Sequence, residues 1–221
     1  MPSAQHIEIN EPWGEIRGLN IGNLDSLHRR GSVLFAEGEP ARGVYILRSG
    51  RATVSISSSE GRVVILRMVQ AGDVLGLNAA LRNSSYEATV KTLEPSRVNF
   101  VSRGELMKLV ENSDGAASVL KLLSRELAQL TDSARSLLLP QTARARLAQL
   151  LLQWSKQPHG NDRSRVIDKV FTHEEVAQMI GSSRETVTRL LASLSRSQII
   201  SVTSDSIEIR DRAALDEMAQ S

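Results

Sequence analysis

Cysteine is absent from all 221 residues, which excludes disulfides, thiolate zinc sites and cysteine-ligated iron–sulfur clusters. Long apolar runs are missing too. No stretch approaches the roughly 18 apolar residues of a membrane helix. Met1 to Asn20 carries acids and polar groups where a signal peptide would carry an apolar core. A soluble, cytoplasmic protein with no membrane partner is expected. The charge excess is small: 27 Lys and Arg against 25 Asp and Glu leave +2. A general affinity for polyanions therefore has little support, and any nucleic-acid binding must rest on local geometry. The four histidines, His6, His28, His159 and His173, are scattered without metal-ligand spacing. There is no nucleophile–base set and no phosphate-cradling loop that opens a helix, so no enzyme, metal or cofactor is expected.

What is present suffices for two small domains, each with its own core. From Gly31 to about Arg103 the pattern has period two, in runs such as VYILRSG, RATVSIS and EATVKTL. Gly38, Gly43, Gly50, Gly61, Gly72 and Gly76 punctuate these runs. Short β-branched runs with regular turns predict an antiparallel sandwich or jelly roll. From about Asp114 the pattern becomes helical. Leu120, Leu123, Leu127, Leu130, Ala134 and Leu137 recur at alternate spacings of three and four, with no Gly or Pro after Gly115. That is an a/d seam, suited to pairing with a second copy of the chain. Pro140 ends the helix and marks a hinge. The domains are therefore read as 1–113, a β-roll with an N-terminal segment; 114–139, a dimerisation helix; and 140–221, a second domain.

In that second domain, ARARLAQLLLQWS predicts an amphipathic helix with Trp154 in the core or as an interdomain wedge. Thr172-His173-Glu174-Glu175 has the form of a capping box, followed by Val176, Ala177, Met179 and Ile180 as an apolar face. Gly181 is the natural left-handed stop. Ser182-Ser183-Arg184-Glu185 is a second capping signature that opens the next helix. Val187, Leu190, Leu191 and Leu194 would pack inward, leaving Arg184, Glu185, Thr188 and Arg189 outside. Two helices joined at a glycine are a helix-turn-helix pattern. Arg pairs bidentately with guanine O6 and N7, and Glu accepts from cytosine N4, both on major-groove edges. Ser182 and Ser183 are short enough to let backbone N–H groups approach a phosphate. IISV and IEIR, flanking Thr203 to Ser206, read as a hairpin wing, and Arg212 to Ala219 as a short final helix.

THEEVAQMIGSSRETVTRLLASLSRSQII resembles the DNA-binding motif of the CRP/FNR superfamily of bacterial regulators, and Ser-Arg-Glu-Thr-Val-x-Arg is specific to that group. Upstream, Glu37-Gly38-Glu39, the segment Tyr45 to Gly50, and Ala71-Gly72-Asp73 follow the order of a cyclic-nucleotide-binding β-roll. The resemblance implies an α+β chain with an N-terminal cyclic-nucleotide-binding-like β-roll, a long dimerisation helix and a C-terminal winged helix-turn-helix domain. It also implies that Arg184, Glu185 and Arg189 read a TGTGA-type half-site and that Thr172 contacts a phosphate. Double-stranded DNA, a second copy of the chain and RNA polymerase are the implied partners. Two-fold symmetry would set two recognition helices roughly 34 Å apart on a palindrome.

That family holds its nucleotide with a Gly-Glu-Leu segment and an Arg-Ser pair. Here Gly76 is kept, but Leu77 stands at the Glu position and Tyr86-Glu87 at the Arg-Ser position. A carboxylate where the phosphate should sit is unfavourable, so cAMP binding in the family's manner is not expected. An iron–sulfur oxygen sensor is excluded by the missing cysteines. Gly76, Asn78, Arg82, Tyr86, Glu87 and Thr131 are the candidate residues around any other small molecule, with no effector at all as the other reading. A competing function is a small-molecule-binding module whose helix-turn-helix engages a protein partner.

Overall fold

The computed structural model describes residues 25–61, 63–138, 142–155, 166–168 and 171–220, with only the helical backbone over 132–138. The segment Met1 to Asn20, His6, His159, the Pro140 hinge and the seam side chains of Ala134 and Leu137 lie outside the described residues. The chain divides into two compact units. One holds residues up to 56 together with 67–130, and the other holds 57–66 and everything from 131 onward.

Up to residue 138 the elements are β1 (Ser26–His28), β2 (Val33–Phe35), β3 (Gly43–Ser49), β4 (Arg51–Ser57), β5 (Val63–Gln70), β6 (Val74–Leu75), α1 (Leu77–Arg82), β7 (Thr89–Thr92), β8 (Ser96–Ser102), α2 (Arg103–Val110) and α3 (Ser113–Leu138), all in the first unit except Ser57, residues 63–66 of β5 and residues 131–138 of α3. Two four-stranded sheets, β1-β8-β3-β6 and β2-β7-β4-β5, face each other as a β-roll. Antiparallel register sets Val54 opposite Val90 and Ala52 opposite Thr92. Period two then sends these side chains to one face and Lys91 to the other. Leu47, Ala52, Leu75, Val90 and Val98 fill the interior between the sheets. A second apolar cluster gathers Val44, Ile46, Leu77, Val101 and Leu106, with Leu123 of α3 packed against it. Leu77 therefore sits in the core at 2% exposure.

Period two marks β2, β3, β4, β5, β7 and β8 but not β1, β6 or the short helices α1 and α2. A helix of six residues shows less than two turns of periodicity. The ends of α1 are set instead by Gly76 (φ 77) and Asn83 (φ 54), both left-handed.

The second unit comprises α4 (Ala143–Ser155), β9 (Val166–Asp168), α5 (His173–Ile180), α6 (Arg184–Arg196), β10 (Ile200–Val202), β11 (Ser206–Ile209) and α7 (Arg212–Ala219). The hairpin expected as a wing is present, but it is part of a three-stranded sheet, β10-β11-β9. The third strand is only three residues long, too short to carry a sequence pattern. Trp154 is a core residue, 4% exposed, with its ring centroid 3.8 Å from that of Phe171. Val176, Ala177 and Ile180 of α5 and Val187, Leu191 and Leu194 of α6 are buried, as their spacing requires.

Candidate nucleic-acid interface

Helix α5 begins at a complete capping box. The Glu175 backbone N–H donates to Thr172 Oγ1 at 3.2 Å, and the Thr172 N–H donates to Glu175 Oε2 at 2.6 Å. It ends at Gly181, whose φ of 58 turns the chain left-handed. The Ser182 N–H reaches back to the Ala177 carbonyl at 2.9 Å, the long bond of a Schellman close. Ser182 is thereby tied to α5. The second cap moves one residue along from the Ser182 box expected from sequence: Ser183 is the cap, its Oγ accepting from the Thr186 N–H at 3.2 Å. Glu185 is then one residue too early to complete a box. Its carboxyl accepts from its own backbone N–H and from the Ser183 hydroxyl, which hold it below its ordinary pKa.

Arg184, Glu185, Thr188 and Arg189 are all exposed on one face of α6, beside the exposed Ser183 and the half-exposed Ser182. Thr172 is exposed at the start of α5. Among the described residues no ion pair joins Glu185 to Arg189, although they are four apart. Among those residues the guanidinium groups of Arg184 and Arg189 make no hydrogen bond or ion pair, although the charge of Arg184 helps to lower the Glu185 pKa. Thr188 is more constrained. Its hydroxyl donates to the Arg184 carbonyl at 3.0 Å, and His173 Nδ1 lies 2.9 Å from the same oxygen. With the hydroxyl proton so committed, the ring must donate from Nδ1. In sequence His173 is one scattered histidine, because nothing in local spacing links it to a residue fifteen positions on. A second long-range contact is equally invisible there: Arg146 of α4 donates from Nε to the carbonyl of Ile180 at 2.6 Å.

The candidate effector residues are distributed differently. Tyr86 is 4% exposed and lies inside the roll. Its ring stacks on Phe35 at 3.9 Å between centroids, and its hydroxyl donates to the Gly43 carbonyl at 2.8 Å. Gly76 is what makes room for it: a Cβ there would meet Tyr86 Cε1 at 2.5 Å. Asn78, Arg82 and Glu87 come together at the surface. Asn78 Nδ2 donates to Glu87 Oε1 at 2.7 Å, and Arg82 lies 3.7 Å from the same oxygen. Thr131 is an exposed residue of α3.

Sequence reading does not single out a charged cleft lined by Arg67, Asp73, Leu77, Arg125, Glu126 and Gln129. Arg67 Nη2 is 3.8 Å from Glu126 Oε1, while Arg67 Nη1 is buried with no hydrogen-bond partner among the described residues. Burial raises the carboxyl pKa of Asp73, against the hydrogen bond from the Gln70 N–H and the charges of Arg67 and Arg125. Burial likewise raises that of Glu126, with Glu87 and Asp73 adding to the effect against the charge of Arg67.

Along α3 the seam is split. Leu123 is half-buried against the core of its own unit. Leu120 and Leu127, each 66% exposed, and Leu130, 42% exposed, are left uncovered. Among the described residues no helix is long and apolar enough to cross a membrane.

Residues 27–113 match the family model of the cyclic nucleotide-binding domain, and residues 145–218 that of the Crp-like helix-turn-helix domain. The chain is 30% identical over 180 residues to a cAMP-activated global transcriptional regulator of Escherichia coli O6:H1, covering 80% of this chain and 85% of that protein. It is 29% identical over 175 residues to the anaerobic regulatory protein of Bacillus subtilis, covering 77% and 73%. The FixK2 structure from Bradyrhizobium japonicum superposes with a TM-score of 0.78 at 23% identity, over 88% of this chain and 96% of that one. A CRP-family transcriptional regulator from Thermus thermophilus gives 0.75 at 26% identity, over 89% and 97%.

Proposed function

Because the chain belongs to the CRP/FNR family of transcription regulators, we propose that it binds a palindromic TGTGA-like site as a homodimer and does so without a nucleotide effector. One observation carries the reading. Helix α6 is capped at Ser183, packed through Val187, Leu191 and Leu194, and presents Arg184, Glu185 and Arg189 outward, with neither guanidinium group in a hydrogen bond or ion pair among the described residues. Arg184 and Arg189 supply paired donors for guanine O6 and N7, and the ionised Glu185 accepts from cytosine N4. Thr172, at the positive end of α5, meets a backbone phosphate. The Thr188 hydroxyl is held by its neighbours, so its methyl group is the part free to touch a thymine methyl.

Dimerisation uses Leu120, Leu127 and Leu130, whose apolar surface would otherwise face water. It would place the recognition helices one DNA turn apart, roughly 34 Å. Effector independence rests on the first unit. Tyr86 occupies the roll's interior, Leu77 is committed to the core, and Glu87 offers a negative charge where a phosphate would sit. RNA polymerase is the expected protein partner, in the cytoplasm where the DNA is.

The test is a fluorescence-anisotropy titration of ligand-free protein onto a palindrome of two TGTGA half-sites, with a scrambled duplex as control and sedimentation to read mass. Selective binding near 10⁻⁸ M by a dimer, unchanged by added cAMP, is expected. Leu127→Asp should shift the protein toward monomer and weaken palindrome binding far more than half-site binding. A salt-insensitive, unselective interaction with DNA would instead favour a helix-turn-helix that engages a protein, since phosphate neutralisation makes affinity fall steeply with salt.

A further inference from the structure

The geometry points to Arg146 as a positioning residue for DNA reading: its side chain holds the turn between α5 and α6 at the attitude in which Arg184 and Arg189 meet base edges, without touching DNA itself. The inference rests on the proposed DNA-binding role. Its basis is the Nε to Ile180 carbonyl bond of 2.6 Å, which joins residues 34 apart in sequence.

Ile180 is the last residue of α5, immediately before Gly181. The carbonyls at a helix end have no partner within the helix and carry its negative pole, so a cation that donates there is favoured on both counts. Ala177 O already receives the N–H groups of Gly181 and Ser182. Those bonds shape the turn but tie it only to its own helix. Arg146 adds a tie to a different element. Helix α4 is seated by Ala145, Leu147, Ala148 and Leu151, each at 0% exposure, so the base of the Arg146 side chain cannot drift. A half-buried stem and a charge-assisted bond at its tip then set where the turn lies against α4.

Because the donor is Nε, the claim has a sharp test. In glutamine the Nε2 donor stands the same number of bonds from Cα as arginine Nε, whereas in methionine that place is taken by a methyl group. Arg146→Met should speed amide exchange at residues 181–183 in the DNA-free full chain roughly tenfold. It should also lower the ratio of palindrome to scrambled-duplex affinity by a similar factor, leaving scrambled affinity and the salt slope unchanged. Arg146→Gln should recover most of both effects. If Gln is as damaged as Met and the salt slope falls by about one, Arg146 is a phosphate contact and the inference is overturned. Unchanged exchange in Arg146→Met overturns it as well. A wild-type protein that ignores the palindrome would sink the functional reading instead, and the exchange measurement, made without DNA, would still decide for or against the clamp.

Discussion

The two units treat their polar chemistry in opposite ways. In the second unit, Arg184, Glu185 and Arg189 stand on the solvent side of a well-capped helix, and among the described residues neither arginine head group makes a hydrogen bond or ion pair. In the first, the candidate effector positions engage the protein's own structure: Leu77 lies in one apolar cluster, Tyr86 in the other, and Glu87 contacts Asn78 and Arg82. A surface that reads an external partner needs groups whose hydrogen-bonding capacity is left over, because only unspent donors and acceptors can discriminate. A position whose capacity is spent internally contributes stability. Within one chain, the arrangement separates an exposed polar helix face from polar groups engaged internally.

The largest effect should come from the inward side. Tyr86→Ala removes a stacked, hydrogen-bonded ring from the roll interior and should cost about 3–5 kcal/mol of stability in urea unfolding. A loss under about 1 kcal/mol, the range of surface changes, would mean that Tyr86 is loosely held and that the roll keeps room for a ligand. Arg184→Ala should behave in the reverse sense. Stability should stay within about 0.5 kcal/mol of wild type, as for exposed residues generally, while affinity for the palindrome drops by about 1–3 kcal/mol with relaxed specificity at one base pair. Equal losses on specific and scrambled DNA would erase the contrast between the units.

Thr172→Ala joins the two kinds of effect, since Thr172 both caps α5 and faces outward. It should lower stability by about 1 kcal/mol in thermal unfolding and also weaken binding to every duplex, because a phosphate contact carries no sequence information. The smallest effect is electrostatic. Burial raises the Asp73 carboxyl pKa in the folded protein, so this group's stabilising contribution is complete below the unfolded carboxylate pKa, about 4. It is lost as pH rises through the higher folded value. Asp73→Asn keeps an oxygen for the Gln70 N–H and removes the buried charge. The variant should melt slightly above wild type at neutral pH, with the gap closing as pH falls toward about 4. A variant that melts lower at neutral pH would show that attraction to Arg67 and Arg125 outweighs burial.

Much of this is legible in local sequence, and what is not legible shares a cause. The capping box at Thr172 and Glu175, the left-handed Gly181 and the apolar spacing of α5 and α6 are all encoded within a few residues, and each appears where the pattern places it. The cap expected at Ser182 is off by one, because the bond from its N–H to Ala177 keeps Ser182 with the preceding helix. The short elements β6, β9 and α1 escape the pattern, being too brief to show a period. Among the effector candidates, Asn78, Arg82 and Glu87 meet as neighbours, whereas Tyr86 lies in the interior, stacked on a strand it reaches only through folding.

Sequence alone therefore determined the order of the longer elements, the Thr172 cap and the turn of the helix-turn-helix, and the outward set of Arg184, Glu185 and Arg189. These follow from backbone preferences and helical periodicity, which act over one or two turns. Tertiary structure alone decided what was already spent: Tyr86 on Gly43, 43 residues away, Arg146 on Ile180, 34 away, and Thr188 on His173. Whether a polar group is free to meet a partner depends on which distant atoms close around it, and no local pattern records that.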